Sequence, residues 1–435
     1  MLNIILFITT YVSGFILTFF RLPVFAFVLY ETVYFYYPQN RWWGVSIPDI
    51  SYSFFAVLLM VFALLIKLPE HIKNKLFSAP QFKWVYLLLF IYGITYFWAT
   101  SQNIHFDAFV YFLKLVIIIS IAYKLIDTDE KLNLVLYGYI FGAWYISFLA
   151  WQLGRNSGIR LEGIGTVDSP DANGIAAAIA PAIVISLYYF WVTKQLWLKA
   201  LFAVSGVFIA NSLILINSRG AFLAVLLSVC FFMAHMFFSK YKRELQKRTA
   251  ITLTILGILG SLYLADNLFI ERISTIKEAR IDQEKESGST RLIFWHAALK
   301  LSIDHPMGLG YKGFNLYSPL YIDESIETGK NKYRSVHSSW LEALTEAGYI
   351  GFAVFITMIY SSFKTLKVCK QYLSEKRQLD KYYKVIAIEA AFIAFLIAMT
   401  FLNRMRSEIL YWCILYSACA YNIYILRGKD NDEKS

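Results

Sequence analysis

Predominantly apolar stretches recur from one end of this chain to the other, and a stretch of about 20 such residues is what a membrane-crossing helix needs. They fall near 2–20, 22–37, 49–66, 84–99, 107–125, 133–152, 173–193, 198–217, 219–239, 249–265, 338–361, 385–403 and 407–426. The first two are short and share only Arg21, so the expected count is twelve or thirteen. Inside a bilayer the backbone must satisfy its own hydrogen bonds, which leaves helices or closed barrels, and runs this long point to helices. With 58% hydrophobic residues in 435 and a mean hydropathy of +0.51, a soluble fold could not hide the apolar surface. The expected fold is therefore an all-α polytopic membrane protein, a bundle of 12–13 transmembrane helices forming one membrane domain over 1–435. MLNIILFITTYVSGF has no basic leader and no small-residue cleavage site, so it reads as a retained membrane segment. Cys230, Cys369, Cys413 and Cys419 lack ligand spacing, and neither a disulfide framework, a metal site nor a cofactor is expected.

Charge sets the orientation. Loop 240–248 carries five Lys/Arg and one Glu (net +4), loop 364–384 seven against two acids (net +5), and loop 67–83 four against one (net +3). Alternate threading puts all three on one side, and the positive-inside rule makes that side cytoplasmic. The C-terminal tail 427–435 joins it. The other face receives 38–48, 153–172, the turn at 217–220, the long segment 266–337 and the turn at 404–406. That long segment is neutral, with ten acidic and ten basic residues. The expected location is a bacterial inner membrane with the working face outward, in the periplasm.

Arginines on the outer face need a reason, because that face normally lacks them. Arg160 sits in the Gly-rich loop RNSGIRLEGIG, Arg219 in NSRG between two apolar runs, Arg291 in SGSTRLIFW, and Arg406 in NRMRSE. Arg334 and His337 stand together in RSVHSSWLEALTEAGYIG, at the mouth of another span. Guanidinium groups grip phosphate bidentately without a metal, and imidazole titrates near neutrality, so it can take a proton. Blander readings exist for each. Arg219 can simply snorkel, Ser339 and Glu342 have the spacing of a capping box, and Ser169-Pro170 that of a helix cap followed by Pro at the first helical position. NLFIERISTIKEAR and SGSTRLIFWHAALKLSI read as amphipathic helices, which makes 266–337 a lid-like outer segment. HPMGLGYKGFN is a turn-rich loop whose His305 is a second candidate base. Asp127-Thr-Asp129 has the look of a metal-binding DxD motif but lies in a short cytoplasmic loop without a nucleotide-binding domain, and is set aside.

Taken in order, SPDANG after Arg160, SRGA, SGSTR with HPMGLGYKGF, and VHSSWLEALTEAGYIGF resemble the O-antigen ligase and polymerase superfamily, which includes bacterial protein O-oligosaccharyltransferases. The resemblance covers about 150–410. The form HSSWLEALTEAGYIG, together with YYPQNRWWGVSIP, is similar to the O-glycosylation ligases associated with exosortase systems, and Ser338 stands where many members have Asn. The resemblance implies a membrane glycosyltransferase moving a glycan from a polyprenyl (undecaprenyl) pyrophosphate to an acceptor hydroxyl, with inversion and without a metal. It implies His337 as general base with Arg219 and Arg291 on the pyrophosphate, and Arg160, Arg406 and Arg334 as further substrate contacts. The partners would be a lipid-linked donor, an acceptor that is a glycolipid, glycan or protein, and membrane lipids, with no nucleic acid. A polymerase or protein oligosaccharyltransferase of the same superfamily satisfies the same residues. A flippase for an anionic lipid is a more distant alternative, since transporters more often show inverted repeats and midplane charges.

Overall fold

A computed structural model of the protein describes residues 1–158, 160–274, 288–323 and 332–428. Every regular element among these residues is helical, as a water-free interior demands. Nine described helices are long and apolar enough to cross a membrane, or ten if Tyr52–Ile66 and Leu68–Ser78, bent by 88°, count as one span. This is fewer than the run lengths suggested, because several runs fold as shorter helices. Phe25–Tyr36 has 12 residues, and Tyr52–Ile66 and Pro80–Ile94 have 15 each. Helix Gln246–Leu264 opens on Gln-Lys-Arg, which dilutes its apolar character.

Burial separates the axis of the bundle from its margin. Helices Leu379–Met399 and Glu408–Leu426 are 78% and 83% buried, against 17% for Leu2–Phe20, so the last two spans run through the centre. Small residues make the tightest contacts. Helix Ala172–Val192 reads ANGIAAAIAPA at its start and packs against Leu196–Ile216, Arg219–Phe238 and Leu379–Met399. Between membrane helices such residues let backbones approach closely, where dispersion rather than hydrophobicity drives association. An aromatic cluster explains why Phe25–Tyr36 is a core helix rather than a full span. Trp412 on the axis receives Phe27, Tyr30, Tyr34 and Phe35 from it, at 5.0–6.4 Å between ring centroids.

The two ends of the bundle are chemically distinct, and the three basic loops share one of them. Arg427 donates to Asn74 Oδ1, Lys384 pairs with Asp129 at 2.6 Å, and Arg243 pairs with Asp380. Asp127 binds Lys131 and Arg427 there. The DxD carboxylates are therefore consumed in tying that end together.

At the opposite end, helix Ser339–Glu375 is broken at Gly348, where φ is 68° and ψ −174°. Loop 305–311 locks into the break. Leu309 N–H donates to Thr345 O (2.9 Å), Gly310 N–H to Glu346 O (3.0 Å) and Tyr349 N–H to Pro306 O (3.0 Å). A Cβ on Gly348 would lie 2.4 Å from Pro306 O, and one on Gly308 2.5 Å from Glu346 O. Gly348 occupies a region open essentially to glycine alone, costing other residues about 1–3 kcal/mol. Gly348→Ala is thus expected to lower the melting temperature of detergent-purified protein by several degrees; an unchanged melting curve would show that the latch contributes nothing.

The expected amphipathic patterns appear as helices Asn267–Ser274 and Gly288–Asp304. The second packs over helix Gly313–Tyr321 through a small separate core of Phe294, Ala298, Leu301, Leu309 and Phe314. The remainder of the lid segment, 275–287 and 324–331, and the tail 429–435 lie outside the described residues.

Candidate active site

Arg160, Arg219 and Arg291 arrive from three separate segments at one open cavity of about 490 Å³. Each is placed by local chemistry. Arg219 opens helix Arg219–Phe238 immediately after Asn217, whose left-handed backbone (φ 58°) ends the preceding helix and turns the chain within two residues. Arg160 is fixed through its backbone, since its carbonyl accepts from Ser157 N–H (3.2 Å) and Ser157 Oγ (2.6 Å). Leu161 N–H then ties the loop to Leu215 O at 2.9 Å. Arg291 comes from the first turn of helix Gly288–Asp304.

Among the described residues the lining includes one carboxylate, Glu162, whose Oε1 is 3.4 Å from Arg160 Nε. A recess rich in guanidinium groups is suited to an anion. Asn217 and Asn173 also line the cavity. Asn217 Nδ2 is buried and finds no hydrogen-bond partner among the described residues, so it is a ready neutral donor beside the arginines. The signal for Asn217 was its place in NSRG, but as a turn residue it drew no functional weight.

His337 lines neither this cavity nor the neighbouring one. Its ring stacks on Phe294, 6.4 Å away and one helical turn from Arg291. Its backbone is left-handed (φ 50°), a conformation few non-glycine residues adopt. The segment after it is bound to the turn at 402–404. Asn403 Oδ1 accepts from Ser338 N–H (3.2 Å), while Ser339 Oγ donates to Leu402 O (2.7 Å) and accepts from Arg404 N–H (2.7 Å). Phe401 and Leu402 belong to the arginine cavity, whereas Ser335 and Asn403 belong to a second cavity of about 730 Å³. The segment that carries His337 is thus bonded to the 402–404 turn, which contributes to both cavities.

This arrangement overturns the capping-box expectation. The cap position is Ser338, and no side chain caps the helix. Ser339 is turned instead onto 402–404, and Glu342 accepts from Met405 N–H (3.1 Å) and from Arg406 Nη2 (3.0 Å). Glu346 takes the other arm of Arg406 and also accepts from Tyr92 Oη at 3.0 Å. Arg406 is therefore not with the other arginines. It is buried on the wall of the second cavity, held by two carboxylates with its guanidinium carbon 4.5 Å from the centre of the Tyr311 ring. Burial alone would weaken its hold on the proton, but Glu346, then Tyr92 and Glu342, hold its pKa well above the usual arginine range. Arg334 lines neither cavity; its backbone N–H donates to Ser318 Oγ at 2.9 Å. His305 packs edge-on against Tyr317 at 5.2 Å.

The helix after the glycine-rich loop also starts later than Ser169-Pro170 suggested. Its cap is Asp171, which accepts from Gly174 N–H at 2.9 Å. Asp168 is a staple: it accepts from Tyr34 Oη (2.5 Å) and from Glu408 N–H (2.8 Å). Arg41 supports the same loop, donating to Gly165 O at 2.8 Å, and its burial pushes its pKa down to about 10. Among the described residues no group of three His, Cys, Asp or Glu could hold a metal ion.

Compared with known families, residues 204–356 match the one described as O-antigen ligase. This third of the chain is similar to the O-antigen ligase family. That family consists of membrane glycosyltransferases of the ligase and polymerase type, whose substrates are in general a lipid-linked glycan and an acceptor. The O-antigen ligase match spans Arg219, Arg291 and His337 and stops before Arg406, while Arg160 precedes it. A comparison with curated proteins returned no match.

Proposed function

We propose that this protein transfers a glycan from a polyprenyl pyrophosphate to an acceptor hydroxyl on the outer face of a bacterial inner membrane. One observation carries the reading: three arginines converge on a single cavity whose wall is bonded to the segment holding His337. The pyrophosphate sits among Arg160, Arg219 and Arg291, which stabilise the charge that grows on it as the sugar–phosphate bond breaks. The acceptor oxygen forms a bond to the anomeric carbon from the opposite face. The electron pair of the broken bond leaves on the pyrophosphate, and the acceptor proton passes to His337. Guanidinium groups supply the positive charge, so transfer by purified protein is expected to persist in excess EDTA. Loss on chelation, restored by Mg²⁺ or Mn²⁺, would favour a metal-dependent transferase.

A strain lacking the gene should accumulate glycan on polyprenyl pyrophosphate, and the wild-type gene but not Arg219→Ala should clear it. Normal carrier-lipid levels in the deletion strain would sink the reading. A flippase is less well supported, because these charges cluster at one end of the bundle and not at its middle.

The shared end of the basic loops supports an orientation with that end cytoplasmic. In a background without the four native cysteines, Val45→Cys should react with a membrane-impermeant thiol reagent in cells with a permeabilised outer membrane, and Lys242→Cys should not. The reverse pattern would invert the assignment.

A further inference from the structure

The second cavity differs from the first in charge, and that difference constrains what it can hold. Its two arginines are already neutralised, Arg406 by Glu342 and Glu346 and Arg404 by Asp171 at 2.5 Å. What remains is Asp107, Asp168 and the second carboxylate of the Glu342–Glu346 pair against Lys312, a negative excess. Tyr111, Asn315 and Ser335 add hydroxyl and amide groups to the lining. Tyr111 Oη is buried and finds no hydrogen-bond partner among the described residues. A buried hydroxyl left unpaired is unfavourable, and a ligand hydroxyl would supply the missing partner. A phosphorylated ligand entering here would meet carboxylates before any cation not already paired to an acid. A polyhydroxylated neutral ligand would find acceptors in the carboxylates and a partner for Tyr111. At about 730 Å³ the cavity lies within the size range of small-ligand pockets.

We infer that the second cavity is the acceptor subsite and that it takes an uncharged carbohydrate, presenting one hydroxyl across the 335–339 and 401–404 partition to His337. This rests on the reaction proposed above. The two cavities then hold opposite chemistries side by side: the arginine cavity holds the anionic donor, and its neighbour receives a neutral sugar. The acceptor proton goes to His337, and the anomeric carbon exchanges its pyrophosphate oxygen for the acceptor oxygen.

Photocrosslinking tests both subsites in cells making the donor. Photoreactive p-benzoylphenylalanine replaces Ile104, a half-exposed apolar residue of the second cavity, or in a separate protein Glu162, an exposed residue of the first. The adducts are analysed by mass spectrometry. A phosphate-free glycan at position 104, with a pyrophosphate-linked glycan at position 162, is the expected result. A phosphorylated acceptor, a protein, the lipid-linked donor or no adduct at 104 overturns the inference when the adduct at 162 is present. Absence of donor at 162 counts against the reaction itself, so the two failures are separable. Independently, Tyr111→Phe should raise the KM for acceptor several-fold and leave donor binding unchanged; an unaltered acceptor KM removes Tyr111 from the subsite.

Discussion

His337→Ala is expected to slow glycan transfer by about 10²–10⁴-fold, the usual loss on removing a general base, while donor binding stays near the wild-type level. The separation follows from geometry. His337 lines no part of the arginine cavity, so the pyrophosphate keeps its contacts when the imidazole is removed. Its left-handed backbone complicates a simple truncation, because alanine is disfavoured at φ 50°. His337→Asn resolves this, since asparagine tolerates that conformation and lacks the imidazole. Equal losses in the two variants, measured as single-turnover transfer from a labelled donor, would assign the effect to the imidazole. Transfer at the wild-type rate by folded His337→Asn protein would remove the base assignment and leave His305 as the next residue to test.

Arg219→Ala and Arg291→Ala should behave differently, weakening donor binding and turnover together. A charge-assisted phosphate contact exists in the ground state and strengthens as charge builds on the leaving group, so both quantities fall. Removing one donor to a developing anion typically costs about 10²–10³ in kcat. Lysine should rescue only in part, because an ammonium lacks the planar fork. Donor affinity in nanodiscs and kcat, measured for the same preparations, decide the matter. A pure kcat effect at either position would place that arginine outside the donor site.

The arginines were visible one at a time because each lies in a segment assigned to the outer face, where basic residues are conspicuous. Their convergence was not visible, because nothing in a linear sequence states that 160, 219 and 291 meet. Arg406 shows the limit well. Read by position it resembled the other three, yet its partners Glu342 and Glu346 lie some 60 residues earlier. Glu342 itself had a satisfactory local explanation three residues from Ser339, and a good local reading concealed the distant one. Apolar length marks a segment that avoids water without stating how long a helix it forms: Phe25–Tyr36 has 12 residues and packs against Trp412. The interlock of 305–311 with Gly348 was foreshadowed by the glycines of HPMGLG and EAGYIG, though neither motif named the other as its counterpart.

Apart from the 157–173 loop and the 398–407 turn, to which both belong, the two cavities are written in different parts of the gene. The arginine recess is built chiefly from 157–162, 217–221 and 291, and its neighbour from 104–111, 311–315 and 403–407, with Glu342 and Glu346 behind it. Substitutions that reshape one recess therefore need not touch the other. A lineage could drift toward a new acceptor through changes in 104–111 and 311–315 while inheriting its anion grip intact, and chimeras exchanging only those segments between related proteins should trade acceptor preference without trading donors.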